Sequence, residues 1–68
     1  MSYYDYHVSL VIAANDYPFY ALIMAAMRKA DSGNAELLRV AFPDTFHELK
    51  LRYNLPGGVL PEEEPKDG

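Results

Sequence analysis

Cysteine and tryptophan are both absent from this chain of 68 residues. Without cysteine the chain forms no disulfide bond, and the usual zinc-finger ligand sets, which depend on thiolates, are excluded. The lack of cysteine fits a reducing compartment, so we expect a cytoplasmic protein. Without tryptophan, the aromatic part of any core must come from six tyrosines and three phenylalanines.

Basic residues are also scarce, with six Lys and Arg against ten Asp and Glu and a net charge of −4. Residues 1–54 carry six acidic and five basic side chains, whereas residues 55–68 carry four acidic and one basic. A nucleic-acid binder needs a basic face to displace counterions from phosphates. The nearly neutral body offers no such face, which argues against a nucleic-acid partner.

Long hydrophobic runs are missing as well. The longest apolar run covers 17–27, which is eleven residues, whereas a membrane-spanning helix needs about 20. The N-terminus lacks the basic segment that opens a signal peptide. We therefore expect no membrane partner, and we interpret the run as a core helix.

No residue pattern indicates catalysis or metal binding. His7 and His47 lack the neighbouring ligands of a zinc site, and Leu51 stands where a second histidine would complete a metalloprotease motif after His47. No helix follows Gly57 and Gly58 to offer a phosphate site at its N-terminus. We therefore predict that the protein is not an enzyme and has no catalytic, cofactor-binding or metal-binding residue.

Hydrophobic residues make up 50% of the chain, which is typical of a globular domain. The periodicity of these residues predicts an all-α fold, a compact bundle of three to four short helices over residues 1–60. Residues 61–68 are acidic and rich in proline and glycine, so we expect a disordered C-terminal tail there. A core of this size supplies only ~3–5 kcal/mol of stability.

The segment 3–14 has two interpretations. As a helix it places Tyr4, Val8 and Ile12 on one face. As a strand it alternates apolar and polar residues from Tyr4 to Leu10, and its aromatic and β-branched residues favour that structure. No second strand follows that could pair with it, which favours the helix. Both interpretations stay open.

Three further helices are indicated by their capping residues. Asp16, Asn34 and Asp44 are each placed to cap a helix start. We expect these helices to cover 17–30, 35–42 and 45–53. Their inward positions predict a core of Phe19, Ile23, Met27, Leu38, Phe42, Phe46, Leu49 and Tyr53.

The helix after Asp16 has more apolar residues than one core face needs. Tyr20 and Met24 lie on its shoulder, and Tyr3 and Tyr6 lie in the preceding segment. Exposed tyrosine and methionine are typical of the centre of an interface. We predict that Tyr3, Tyr6, Tyr20 and Met24 bind a partner, which is either another protein or a second copy in a homo-oligomer. The alternative is that the N-terminal segment covers these side chains.

One stretch of the chain has a recognisable pattern. The sequence PFYALIMAAMRKAD at 18–31 is followed by Leu38-Arg39, Ala41-Phe42-Pro43, Glu48-Leu49, Arg52-Tyr53-Asn54 and Pro56-Gly57-Gly58. Over about residues 16–60 this pattern resembles a group of small uncharacterised bacteriophage and prophage proteins from high-GC Gram-positive hosts. The resemblance implies no activity and no functional residues. It implies a setting in which small accessory proteins often bind and redirect a host protein or block a defence system.

The sequence thus predicts a non-catalytic protein-binding accessory protein, encoded by a phage, that inhibits or modulates a host protein or defence system in the host cytoplasm. A small self-associating structural or assembly protein is the alternative. A third interpretation treats 35–53 as a helix-turn-helix whose second helix carries His47, Lys50 and Arg52 toward DNA. The nearly neutral body argues against this DNA-binding regulator.

Overall fold

The computed structural model describes residues 1–63, which contain four α-helices and two short 3-10 turns and no strand. The helices are α1 (Tyr3–Ala14), α2 (Phe19–Lys29), α3 (Ser32–Ala41) and α4 (Pro43–Tyr53). The 3-10 turns cover Pro56–Gly58 and Pro61–Glu63. The all-α prediction is confirmed, and the segment 3–14 takes its helical alternative.

α1 forms because side chains close its first turn. The Ser2 hydroxyl accepts a hydrogen bond from the backbone N–H of Asp5 at 3.2 Å, and the Asp5 carboxylate accepts one from the backbone N–H of Ser2 at 3.1 Å. This reciprocal pair satisfies N–H groups that a helix start otherwise leaves without partners. At the other end, the Asn15 amide donates to the Val11 carbonyl at 3.0 Å. Local hydrogen bonding therefore favours the helix in a segment whose composition favours a strand.

The predicted start of α2 is wrong. Asp16 does not cap this helix, since α2 begins at Phe19 with Pro18 at its N-cap and without any capping side chain. Tyr17 directly precedes a proline, whose ring disfavours helical backbone in the residue before it. The helix therefore begins two residues later than the sequence pattern predicts.

The predicted starts of α3 and α4 are also wrong. Asp31, rather than Asn34, caps α3, because its carboxylate accepts a hydrogen bond from the Asn34 backbone N–H at 2.8 Å. Pro43 is the first residue of α4, so the predicted cap Asp44 lies inside the helix. Proline suits that position because the first turn leaves its N–H group unpaired in any case.

α2, α3 and α4 pack around Met27, which is 7% exposed and is the one buried residue in the described part of the chain. Ala35 of α3 and Phe46 and Leu49 of α4 line the cleft beside Met27. Phe46 and Leu49 are half-buried, and so are Ile23, Leu38 and Phe42 of the predicted core.

Two residues of the predicted core are exposed instead. Phe19 is 58% exposed and Tyr53 is 73% exposed. Each lies at a helix end, Phe19 in the first turn of α2 and Tyr53 in the last turn of α4, where neighbouring helices cover only one side of the ring. Phe19 still meets Phe42 edge to face, with 6.2 Å between the ring centroids.

Arg52 connects the residues after α4 to the helical body. Its Nη1 donates to the Gly58 carbonyl at 2.9 Å, and Nη1 and Nη2 each donate to a carboxylate oxygen of Glu63 at 2.7 Å. Its Nε lies 3.6 Å from the Glu48 carboxylate. Gly57 has a φ of 64°, a left-handed conformation that glycine adopts freely and that lets the chain reverse here.

The prediction of a disordered tail is wrong for its first three residues. Pro61–Glu63 form a 3-10 turn held by Arg52, so these three residues belong with the body. The remainder of the predicted disordered tail, 64–68, lies outside the described residues.

α1 stands apart from the other helices. Its Cα atoms stay more than 8 Å from those of every other helix and 3-10 turn between Phe19 and Glu63. The chain has a radius of gyration of 14.9 Å and extents of 52 × 27 × 17 Å, whereas a compact chain of this length has a radius of about 11 Å. The bundle therefore consists of α2, α3 and α4, and α1 extends from it as an arm.

Met27→Ala should abolish cooperative folding. Truncating a large buried side chain costs ~2–5 kcal/mol, which is about the whole stability of a domain this small. We expect the variant to lose its thermal transition in circular dichroism. Met24→Ala, at a half-buried position of the same helix, is the matched control and should lower the melting temperature less. Equal losses in the two variants would contradict the packing around Met27.

Glu63→Gln should destabilise the fold near neutral pH. The hydrogen bond from Arg52, with a second from the Leu60 backbone N–H, lowers the pKa of Glu63 to about 2. A carboxylate whose pKa falls on folding adds stability above its unfolded pKa of about 4.3, and this contribution disappears as the pH falls toward 2. We expect a small difference in melting temperature from wild type near neutral pH, because exposed ion pairs are weak.

The pH dependence of that difference is the measurement that decides. The gap between wild type and Glu63→Gln should close as the pH is lowered through the range in which the carboxylate gains its proton. Glu62→Gln, in the same 3-10 turn, removes a neighbouring negative charge and is the control. A gap that does not change with pH, or an equal gap for Glu62→Gln, would show that the Arg52–Glu63 pair is not the cause.

Candidate functional site

α1 exposes nearly all of its large apolar side chains to solvent. The exposed fraction is 80% for Tyr3 and still 42% for Ile12, and Asp5 is the single acidic residue of the helix. A helix that is apolar around its whole circumference is normally buried, and a helix of twelve residues is marginal in water without packing. The exposed apolar residues of α1 are Tyr3, Tyr4, Tyr6, Leu10, Val11 and Ile12.

A groove of about 700 Å³ lies between α1 and α2. Lys29 is the one charged residue on its walls, and the Ser9 hydroxyl is already bonded to the Tyr6 carbonyl at 2.5 Å. The walls therefore offer apolar contact almost without polar groups that need a partner. The residues that line this α1–α2 groove are Ser9, Ile12, Ala13, Tyr17, Ala21, Leu22, Ala25, Ala26 and Lys29.

α2 forms one wall of the groove because it is apolar on two opposite sides. Met27 points into the bundle, and Ala25, two residues earlier, lies about 160° away around the helix axis. Ala21 and Ala25 follow each other one turn apart on the groove side. Small side chains allow the axes of two helices to approach closely, so this wall suits the docking of another helix.

The exposed apolar surface continues past α2 onto α3. Ala26 and Lys29 line both the α1–α2 groove and a second cleft that extends to Leu37. Leu37 is 68% exposed and Val40, one turn later on α3, is 66% exposed. The linings of the two clefts thus share Ala26 and Lys29, while Val40 lines neither of them.

The structure places the four predicted partner-binding residues on two separate surfaces. Tyr3 and Tyr6 lie on α1 and Tyr20 lies on α2, and all three are more than half exposed, whereas Met24 is half-buried. Tyr20 and Met24 do not line the α1–α2 groove. They lie on the flank of α2 that faces away from it, where the Tyr20 ring meets Phe19 edge to face at 5.2 Å. Their role in binding stays a prediction.

Sequence reasoning missed the residues that shape the groove. Ala21 and Ala25, which form one wall of the groove, were not among the residues predicted to bind a partner. The signal that indicates them is the breadth of the apolar arc of α2, which exceeds what one packing face needs. Which way α1 extends from α2 depends on the connection between them, and no periodicity reveals that.

The basic residues proposed for DNA contact are partly engaged in other interactions. Arg52 is bonded to Glu63 and Gly58, and the Lys50 ammonium lies 5.2 Å from the centre of the Phe46 ring. His47, the third of them, is exposed on α4.

His7 stacks on Tyr3 with 6.2 Å between the ring centroids. Within residues 1–63, no cluster of three or more His, Asp or Glu is arranged to hold a metal ion. In the same range no helix has both the length and the apolar character needed to cross a membrane. The chain matches no protein-family model, and comparisons with curated proteins and with solved structures give no match.

Proposed function

We propose that this chain is a non-catalytic protein-binding protein, and that it holds its partner on α1 and the α1–α2 groove. The observation that supports this function is α1 itself. It is an apolar helix of twelve residues that packs on no other helix of the described chain. A surface of this kind is stable in water only when another molecule covers it.

The chemistry of the surface favours a protein over other ligands. Small-molecule sites combine an apolar cavity with several convergent polar groups. The polar groups of the groove are Lys29, the Tyr17 hydroxyl and an internally bonded Ser9, against six apolar residues. A single lysine is too little positive charge for a nucleic-acid backbone. Exposed tyrosines are typical of protein interfaces, because the ring supplies contact area while the hydroxyl stays hydrated.

The resemblance to bacteriophage proteins supports a particular class of partner. In that setting the partner is a host protein, and the chain acts as its inhibitor or modulator in the host cytoplasm. A second surface is a candidate for the same contact, since Tyr20, Phe19 and Tyr53 are exposed on the side of the bundle away from the groove. The experiment therefore has to distinguish α1 from that flank.

Leu10→Asp should abolish partner capture. Leu10 is 52% exposed on α1, so aspartate puts a charge on the binding surface without disturbing the packing around Met27. We expect affinity purification of the tagged full chain from a lysate of a high-GC Gram-positive bacterium to recover a partner. The variant should recover at least about tenfold less, which corresponds to a loss of about 1.4 kcal/mol.

Two further variants make that result specific. Val40→Asp, at a 66% exposed apolar position of α3 outside the groove, is the matched control and should capture the partner as wild type does. The double variant Tyr20→Ser with Met24→Ser tests the flank. If the double variant loses the partner while Leu10→Asp keeps it, α1 is not the binding surface. If wild type captures no partner from the host lysate, a host target is contradicted.

A further inference from the structure

We infer that the α1–α2 groove is occupied by α1 of a second copy of this chain, so that two copies exchange their arms in a symmetric dimer. The inference rests on the proposed function, because it names the partner of the same surface. Four observations support the second copy as the occupant: the exposed area, the means of stabilisation that the chain possesses, the connection between α1 and α2, and the charges on the two surfaces.

The chain exposes more surface than a folded monomer of its mass, as a subunit separated from its oligomer does. The solvent-accessible surface is 5975 Å², whereas a folded monomer of 7.7 kDa has about 4,300 Å². The difference is about 1,600 Å². Obligate homodimers remove about 1,000 Å² or more per chain from solvent, so the excess is large enough for such an interface.

Self-association is also the means of stabilisation that this chain possesses. Domains of this size supplement a small core with disulfides, a structural metal or oligomerisation. Cysteine is absent, and no metal-binding cluster occurs in residues 1–63. Met27 is the one buried residue of that range. A second copy is present whenever the chain is made, so it supplies the missing apolar contact at a fixed ratio.

α1 forms one wall of its own groove and does not fill it. Only residues 15–18 join α1 to α2, and both Asn15 and Pro18 have extended backbone, with ψ of 148° and 146°. Ser9 lines the groove, and Tyr4 and Val11 lie roughly opposite it around the helix. That face of α1 points away from its own α2. It reaches a groove only by entering the groove of another copy, and twofold symmetry then makes the exchange reciprocal.

The charges on the two surfaces are compatible with this contact. Asp5 lies one turn before Ser9, on the side of α1 that faces its own groove. The face of α1 with Tyr4 and Val11 has no Asp, Glu, Lys or Arg, so it brings no like charge against Lys29 of the groove.

The first test is the oligomeric state of the purified full chain. Light scattering coupled to size-exclusion chromatography should give twice the chain mass of 7.7 kDa at protein concentrations of about 100 µM, and the melting temperature should rise with concentration, as mass action requires. Leu10→Asp and Ala25→Asp should each give a monomer. Val40→Asp should stay dimeric. A wild-type monomer under these conditions would overturn the inference.

Mixing the two monomeric variants tests the exchange itself. Ala25→Asp keeps an intact arm and Leu10→Asp keeps an intact groove, so the mixture can form one of the two arm–groove contacts. We expect a heterodimer that is weaker than the wild-type dimer. If the arms instead packed against each other, every heterodimer would contain one damaged arm and none would form, which would overturn the exchange.

Cross-linking tests the exchange without the aspartate variants, so it applies even if one of them does not fold. Because the chain lacks cysteine, Leu10→Cys and Ala25→Cys each introduce a single thiol. When the two variants, distinguished by a mass tag, are mixed with a short bismaleimide, the expected product joins position 10 of one copy to position 25 of the other. Products that join only position 10 to position 10 would contradict the exchange.

These outcomes separate the inference from the proposed function. A monomeric wild-type chain that captures a host protein through Leu10 retains the proposed function and loses the inference. A dimer that captures nothing from the host lysate retains the inference and loses the host target. A monomer that captures nothing contradicts both.

Discussion

The packing of three short helices around Met27 is the constraint on which the rest of the structure depends. Helices of ten and eleven residues bury one side chain among them, that of Met27, and every other apolar residue of the described chain stays partly exposed. One apolar side of α2 packs inside the bundle, and its second apolar side stays exposed. The bundle has no further face that covers α1, and the surface that α1 and α2 expose follows from the small size of the core.

Hydrogen bonds between side chains and backbone determine where α1 and α3 begin. The reciprocal bonds of Ser2 and Asp5 start α1, and the Asp31 carboxylate starts α3. Within α3, the Arg39 guanidinium hydrogen-bonds to Glu36 and lowers the pKa of that carboxyl. These groups are exposed, so each adds little free energy. Their effect is to fix boundaries, whereas stability comes from apolar contact.

The fold class was predictable because apolar periodicity is a local property of the sequence. The helix starts were less predictable, because Pro18 restricts Tyr17 and because Asp31 competes with Asn34 for the same role. Phe19 and Tyr53 have the spacing of core residues, but burial at a helix end depends on how far the neighbouring helices extend. The candidate site was predicted least well. Groove residues such as Ala25 lie on the side of α2 away from the core. The sequence does not show that α1 lies beside them.

The separation of α1 from the bundle has a consequence for how the sequence can diverge. Because α1 lies far from the side chains that enclose Met27, substitutions along α1 leave the packing of α2, α3 and α4 unchanged. The residues that bind a partner then precede Pro18, and the residues that form the bundle follow it. Selection can alter the specificity of the arm while the bundle keeps its sequence, so related chains could share 19–63 and differ in what their first fourteen residues recognise.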